Sequence, residues 1–339
     1  MRKSAPVVVP FAGFVAAALA LAACDITIGA SEYSVREEKK FAVSGQARLS
    51  LSTFDGSIEV RGWDRNEVVV EVEKIGPDQK TVDRIQVEAT QDGNAITIEV
   101  PKPSPLETTG MRRSPSANLV VSAPLETAVT ARSGDGSIEI RRVSGKIDVD
   151  TEDGNVHVEE LTGDFVIRTG DGAVDARRIE GGGRVNTRDG NIRADGIFTS
   201  LSLETGDGAV DLDGRVEGDT RIHTGDGNVR ARGVFTSLTL ETGDGAIDVV
   251  GRDGTAVASD WTVTTGDGNI TLELPAGVNA DLDAQTSDGH VDAGRLAGQG
   301  DQPSSGEARE RRSVRAKLGA GGKALKIRSG SGSITIRGW

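Results

Sequence analysis

The segment 203–212 reads LETGDGAVDL, and further along the chain the segment 222–231 reads IHTGDGNVRA. Both segments place Thr-Gly-Asp-Gly between stretches in which apolar and polar residues alternate, a pattern typical of short β-strands on either side of a tight turn. Nine Asp-Gly pairs mark this frame along the chain: Asp135, Asp153, Asp171, Asp189, Asp207, Asp226, Asp244, Asp267 and Asp288. The interval between successive pairs is nearly constant over most of this stretch. An internal repeat therefore decides the fold.

Each repeat carries the same residue types at fixed positions around its aspartate. Ser or Thr stands two residues before it, Gly follows it, and Ile or Val stands three residues after it. The frame also fits segments 49–60 and 325–336, and a weaker copy at Asp92-Gly93-Asn94 brings the number of units to twelve. We therefore expect the repeat domain to cover residues 48–339, with insertions near 101–125 and 294–316.

Two architectures produce such a repeat, because Asp-Gly between alternating stretches is also a strong signal for a two-residue β-hairpin. A hairpin would place Glu204 directly opposite Asp211, and like charges in that position are unfavourable. In a solenoid, equivalent residues of successive units stack instead. The column four residues after the aspartate then alternates in sign: Asp175, Arg193, Asp211, Arg230, Asp248. The sequence therefore predicts an all-β fold, a single-stranded parallel β-helix (β-solenoid), right-handed, in which the repeat period sets about 18 residues per rung.

A second period runs through the repeat. Two residues after the aspartate, asparagine and alanine alternate: Asn155, Ala173, Asn191, Ala209, Asn228, Ala246, Asn269. Two successive units therefore form one larger repeat.

Residues 1–23 have the composition of an export signal. Arg2 and Lys3 precede an apolar run that is too short for a membrane-spanning helix. Segment 21–24 reads LAAC and resembles the lipobox of bacterial lipoproteins. We expect lipidation of Cys24, the only cysteine, with acyl chains such as palmitate. Residues 1–23 would then be a removed signal peptide and residues 24–47 a lipid-anchored polar tether. The protein would be a membrane-anchored lipoprotein of the cell envelope, on its periplasmic or extracellular face.

Composition argues against two functional classes. The net charge of −13 disfavours nucleic acid as a partner. The three histidines, His157, His223 and His290, lie at scattered positions, and the only cysteine belongs to the signal. No nucleophile or metal constellation is visible, so the sequence predicts neither an enzyme nor a bound cofactor.

The Gly-Asp-Gly corners are the residues most suggestive of a site. Stacked aspartates are able to ligate calcium, but the unit here is twice as long as the nine-residue calcium-binding repeat of β-helical toxins. We expect structural turns, in which the aspartate accepts hydrogen bonds from its own turn amides and glycine supplies positive φ. A calcium column is the alternative.

Segments 119–125 (LVVSAPL) and 274–282 (LPAGVNADL), together with the recurring Thr-Gly-Asp-Gly, resemble the bacterial "putative adhesin" family of β-helix envelope proteins. The resemblance implies adhesion and brings no catalytic residues. We therefore expect a non-enzymatic lipoprotein that presents a β-solenoid surface for adhesion or protein interaction. Its partners would be the membrane, through the lipid, and an envelope protein or a surface glycan. The alternatives are an envelope scaffold or stress-response accessory protein, and a polysaccharide-active β-helix enzyme.

Overall fold

The computed structural model describes residues 24–29, 32–103, 114–294 and 312–338, so the expected signal peptide lies outside the described residues. These residues contain 25 strands and one helix, α1 (Gln79–Val82). The strands are β1 (Cys24–Gly29), β2 (Glu32–Ala42), β3 (Ala47–Thr53), β4 (Ile58–Trp63), β5 (Glu67–Gly76), β6 (Glu88–Asp92), β7 (Ala95–Val100), β8 (Ser116–Pro124), β9 (Thr127–Ser133), β10 (Ile138–Ser144), β11 (Ile147–Thr151), β12 (Val156–Thr162), β13 (Phe165–Thr169), β14 (Val174–Thr187), β15 (Ile192–Thr205), β16 (Val210–Thr224), β17 (Val229–Thr242), β18 (Ile247–Gly251), β19 (Trp261–Thr265), β20 (Ile270–Leu274), β21 (Ala280–Thr286), β22 (Val291–Asp292), β23 (Ser313–Leu318), β24 (Ala324–Ser329) and β25 (Ile334–Gly338). The predicted fold class, a nearly all-β chain of many stacked parallel strands, is confirmed.

A rung of the solenoid consists of one strand, a corner and a second strand, and in most rungs the corner contains Asp-Gly. We call the strands before the corners the front face and the strands after them the back face. Successive rungs pair in parallel and in register, so that Val174 lies between Val156 and Ile192 on the back face. Strands β14 to β17 each begin on the back face and continue onto the front face of the next rung.

The core lies between the two faces, because alternate residues of the strands that form the rungs point inward. Val174, Ile192 and Val210 are each 1% exposed. Where the chain turns from the back face to the front, the pairing register shifts between β14 and β15. Phe198 is buried there, whereas its neighbour Ile197 is 50% exposed.

The order of the rungs departs from the order of the chain at both ends. From one end to the other, the twelve rungs within the described residues are β7/β8, β3/β4, β9/β10, β11/β12, β13/β14, β14/β15, β15/β16, β16/β17, β17/β18, β19/β20, β24/β25 and β21/β22. The earliest rung in the sequence and the last one are thus each second from an end. The rungs between them follow the chain.

Antiparallel strands cover the end formed by β7/β8. Strand β5 pairs antiparallel with β8, β2 with β5, and β1 with β2. The predicted polar tether over residues 24–47 is therefore wrong for β1 and β2, which are hydrogen-bonded members of the sheet. The unit predicted at Asp92-Gly93-Asn94 is also wrong. There β6 and β7 form an antiparallel hairpin, with φ of 58° at Gly93.

The two expected insertions contain strands as well. Within 101–125, β8 forms the back face of the terminal rung, and residues 104–113 lie outside the described residues. Within 294–316, β23 begins at Ser313 and pairs antiparallel with β21, and residues 295–311 lie outside the described residues. Strand β8 pairs with β4 on one side and β5 on the other, whereas among the described residues β23 pairs only with β21.

Candidate interaction surface

Threonine hydroxyl groups hold the corners together. Thr205 is 2% exposed. Its hydroxyl donates to the carbonyl oxygen of Gly190 in the preceding rung (2.9 Å) and accepts from the amide of Gly208 in its own corner (3.2 Å). The same two bonds recur at Thr151, Thr187, Thr224, Thr242, Thr265 and Ser329. At these corners the second glycine amide is therefore bonded by the hydroxyl and not, as the sequence led us to expect, by the aspartate.

The corner glycines are required by close approach between rungs. A Cβ atom at Gly172 would lie 2.0 Å from the carbonyl oxygen of Gly154 and 2.7 Å from Oγ1 of Thr169. Among the corner glycines, all of which lie in the described residues, only Gly56 has a positive φ, of 132°. The expectation that these glycines supply positive φ is therefore wrong elsewhere in the column. Glycine is needed because no side chain fits between stacked corners.

The nine corner aspartates all project from the solenoid as exposed residues. A few contact their neighbours: Arg188 donates to Asp171 (3.3 Å), and Ser331 donates to Asp267 (2.8 Å). Burial and then the charge of Asp135 raise the pKa of Asp55, which is the residue before Asp135 in the column. No group of three or more His, Cys, Asp or Glu side chains within the described residues is arranged to hold a metal ion.

The stacking predicted from charge is confirmed. On the back face, Arg193 pairs in register with Asp175 on one side and Asp211 on the other. The nitrogen and oxygen atoms of Arg193 and Asp211 are 3.6 Å apart, and those of Arg230 and Asp248 are also 3.6 Å apart. These side chains are about half exposed, so each pair contributes only about 0.2–1 kcal/mol. The ladder therefore sets register more than it adds stability.

The asparagine column explains the two-rung period. The Oδ1 atoms of Asn155, Asn191 and Asn228 each accept a hydrogen bond of 2.8 Å from the amide of the alanine one rung further on. The side chain of the asparagine thus occupies the space over the next corner. Alanine leaves that space open in every second rung.

A groove of about 680 Å³ runs along the back face over five rungs. One wall is the Asn/Ala column from Ala173 to Ala246, and the other is the charge ladder from Asp175 to Asp248. We call this feature the back groove. Both columns are visible in the sequence, but the groove is not. It depends on how far apart the two columns lie and on the short alanine side chain, which leaves space in every second rung.

The three histidines are not brought together. His157 lies 3.5 Å from Asp175 on the back face, and His223 lies 3.7 Å from Glu241 on the front face. His290 contacts the hydroxyl of Ser333 at 2.9 Å, near the opposite end of the stack from β7/β8. Each belongs to a surface ladder between neighbouring rungs.

One feature of the turn from the back face to the front face has no sequence signal. Arg142, Glu160 and Arg178 occupy the left-handed region in three successive rungs, with φ of 56°, 56° and 53°. Arg178 pairs with Glu160 at 3.0 Å and Arg142 approaches it at 3.9 Å. Such residues are uncommon at positive φ, so their side chains gave no reason to expect this turn.

Comparison with known families matches residues 24–337 to the profile of Toastrack DUF4097. The chain belongs to this Toastrack family. The resemblance drawn from the sequence motifs is thereby confirmed. A comparison with curated proteins finds no match.

Three solved structures are similar to this Toastrack chain at low identity. A "putative adhesin" of Bacteroides fragilis is 10% identical, with 90% of this chain and 97% of that chain covered and a TM-score of 0.31. A "putative adhesin" of Parabacteroides distasonis is 12% identical, with 89% and 96% covered and a TM-score of 0.30. A "putative cell adhesion protein" of Clostridium sporogenes is 12% identical, with 90% and 100% covered and a TM-score of 0.21. These scores are too low to bring a function to this chain.

In the Toastrack chain, Cys24 is the first residue of β1, and its backbone is paired in register with Glu37 of β2. Strands β5, β2 and β1 extend the back face at the end of the solenoid formed by β7/β8, and β1 is the outermost of them. No helix within the described residues is long and apolar enough to cross a membrane.

Proposed function

We propose that this Toastrack chain is a non-enzymatic lipoprotein of the cell envelope whose solenoid surface binds a partner, as an adhesion or protein-interaction module. The observation that carries the proposal is the in-register stacking of outward side chains over many rungs. Such stacking turns single residues into long, regular columns. Solenoids in general use extended surfaces of this kind for binding.

The proposed anchor is supported by the lipobox-like segment 21–24, and Cys24 is the first residue of the outermost strand β1. A diacylglycerol together with an acylated amino group gives the two or more chains that stable membrane attachment requires. Attachment at β1 would hold the solenoid by the end that carries β7/β8 and leave the end that carries β21/β22 remote from the lipid.

The test compares the natural chain with Cys24→Ser in bacterial cells. We expect mass spectrometry to find acyl groups on the peptide that begins with Cys24, and we expect Cys24→Ser to leave the membrane fraction. Cells carrying the natural chain should bind a partner surface or protein, and purified Cys24→Ser chain should compete for that binding.

Three results would contradict the proposal. An unmodified Cys24 in membrane-associated protein would remove the anchor. Crosslinking only to neighbouring membrane proteins, with no binding to other surfaces, would favour the scaffold. Polysaccharide turnover that disappears on changing a single carboxylate would favour an enzyme.

A further inference from the structure

We propose that the back groove binds a neutral, extended glycan chain laid along the axis of the solenoid. The inference rests on the proposed surface-binding function and names the face and the class of ligand. It starts from the back groove because both of its walls repeat over five rungs.

The walls of the groove repeat together. The rungs that carry Asn191 and Asn228 also carry Arg193 and Arg230, whereas the rung between them carries Ala209 and Asp211. In one rung the asparagine NH₂ group and the arginine guanidinium group offer donors on both walls. In the next rung alanine leaves a gap on one wall and aspartate offers a carboxylate acceptor on the other. At about 4.8 Å between parallel strands, the pattern repeats every ~9.6 Å. A ligand that fits all of it is a linear polymer with a similar repeat.

The polar groups of the groove remain available for hydrogen bonds. Within the described residues, Oδ1 of Asn191 and of Asn228 accepts a backbone amide, while neither side-chain NH₂ group has a partner. The separation of 3.6 Å between Arg193 and Asp211 is longer than a good charge-assisted hydrogen bond. Hydroxyl groups, which both donate and accept, match such a surface.

Charge argues against a polyanion. The ladder sets three carboxylates (Asp175, Asp211, Asp248) against two guanidinium groups (Arg193, Arg230), so the groove has almost no net charge. A polyanion gains attraction only from a positive surface. A neutral chain with many hydroxyl groups does not need a positive surface, because it binds through hydrogen bonds.

Periodicity argues against a peptide in the β conformation. An interval of ~9.6 Å is about three residues of a strand, and residues three apart in a strand point to opposite faces. A polyproline II helix has a turn of roughly 9.3 Å and fits the interval better. However, proline-rich segments are recognised by grooves lined with aromatic residues, and this groove has none among its lining residues. An extended 1,4-linked glycan has a disaccharide repeat close to this interval and hydroxyl groups along both edges.

The experiment uses the purified full-length chain in detergent and measures binding of cellohexaose and chitohexaose by calorimetry. The groove variant is Asn191→Ala with Asn228→Ala. The matched control is Asn155→Ala with Asn269→Ala, because these residues make the same 2.8 Å bond to a backbone amide but do not line the groove. Both double variants should lower the unfolding temperature by the same small amount.

We expect the groove variant to weaken hexasaccharide binding about tenfold, which corresponds to the loss of two net hydrogen bonds, and the control to bind like the natural chain. Binding should be nearly independent of salt, and a disaccharide should bind more weakly than a hexasaccharide. Equal binding by both variants would overturn the assignment of the groove. Binding of a proline-rich decapeptide in place of the glycans would overturn the ligand class. If neither glycan binds while cells still adhere, this inference fails and the proposed function stands. If adhesion is absent as well, both fail.

Discussion

Replacing Gly172 by alanine tests whether the corners of the solenoid are set by contact between rungs. The new Cβ atom would lie 2.0 Å from the carbonyl oxygen of Gly154. An ordinary contact would need a displacement of about 1.4 Å, which is a large part of the ~4.8 Å between rungs. The rungs on both sides are held by continuous hydrogen bonding between parallel strands. The corner therefore has little room to adjust.

The magnitude follows from two effects. Extra volume forced into a packed region costs about 1–3 kcal/mol. The displaced corner would also weaken the hydrogen bond of 3.1 Å from Thr187 to the carbonyl oxygen of Gly172, which contributes about 0.5–1.5 kcal/mol. We therefore expect a loss of about 3 kcal/mol, or a decrease of roughly 4 °C in unfolding temperature for a chain of this size.

The assay is thermal unfolding together with amide hydrogen exchange in the neighbouring rungs, with Gly277→Ala as the control. Gly277 has φ of 87° and nothing within 4 Å of its Cβ position, so alanine there incurs only the backbone cost of about 1–2 kcal/mol. Gly172→Asn separates the two explanations further, since asparagine tolerates positive φ but not crowding. The reasoning is refuted if Gly172→Asn is tolerated, or if Gly172→Ala costs less than the control.

Three further predictions concern single side chains. Thr205→Val should cost about 1–3 kcal/mol, because it leaves two buried backbone groups without their partner, whereas Thr205→Ser should be nearly neutral in the same thermal assay. Phe198→Ala should cost about 3–5 kcal/mol and Ile197→Ser close to nothing; urea titration would distinguish this from the opposite orientation of the two residues. The pKa of Asp55 is raised by burial and by Asp135, so the folded state binds this proton more tightly than the unfolded chain does. Ionisation of Asp55 therefore opposes folding at neutral pH. Asp55→Asn should stabilise the protein at pH 7, and the gain should vanish below about pH 4; a constant gain across the titration would contradict this account.

The middle of the fold was predictable because its signals are local and repeated. Alternation on both sides of the corner gave the strands, and the signs of Asp175, Arg193 and Asp211 distinguished stacking from hairpins. The role of Thr205 was not predictable in this way. Its position in the repeat showed that threonine matters, but only the distance to Gly190 shows that it joins two rungs.

The ends were less predictable for a physical reason. The repeat frame is the same in every unit, so it does not specify which unit is the neighbour of which. At Asp92-Gly93 the same dipeptide forms a hairpin, with antiparallel partners β6 and β7. The hairpin forms there although it places Glu88 opposite Glu99, and both of these side chains are exposed. The hairpin and the solenoid corner thus differ by their surroundings and not by the turn residues.

The exchanged order of rungs at both ends bears on the exposed edge strands that any open parallel stack has. An exposed edge strand offers unpaired amides and carbonyls to other chains. Here the chain passes beyond its own first rung, builds β7/β8 outside it, and returns, so that β5 and β6 cover the edges antiparallel. At the other end β24/β25 inserts between β19/β20 and β21/β22, and β23 covers β21. Each terminal rung is therefore connected to the chain on both sides and is not a free end. The periodic surface between the two ends is left as the part of the molecule that is long, regular and available to a partner.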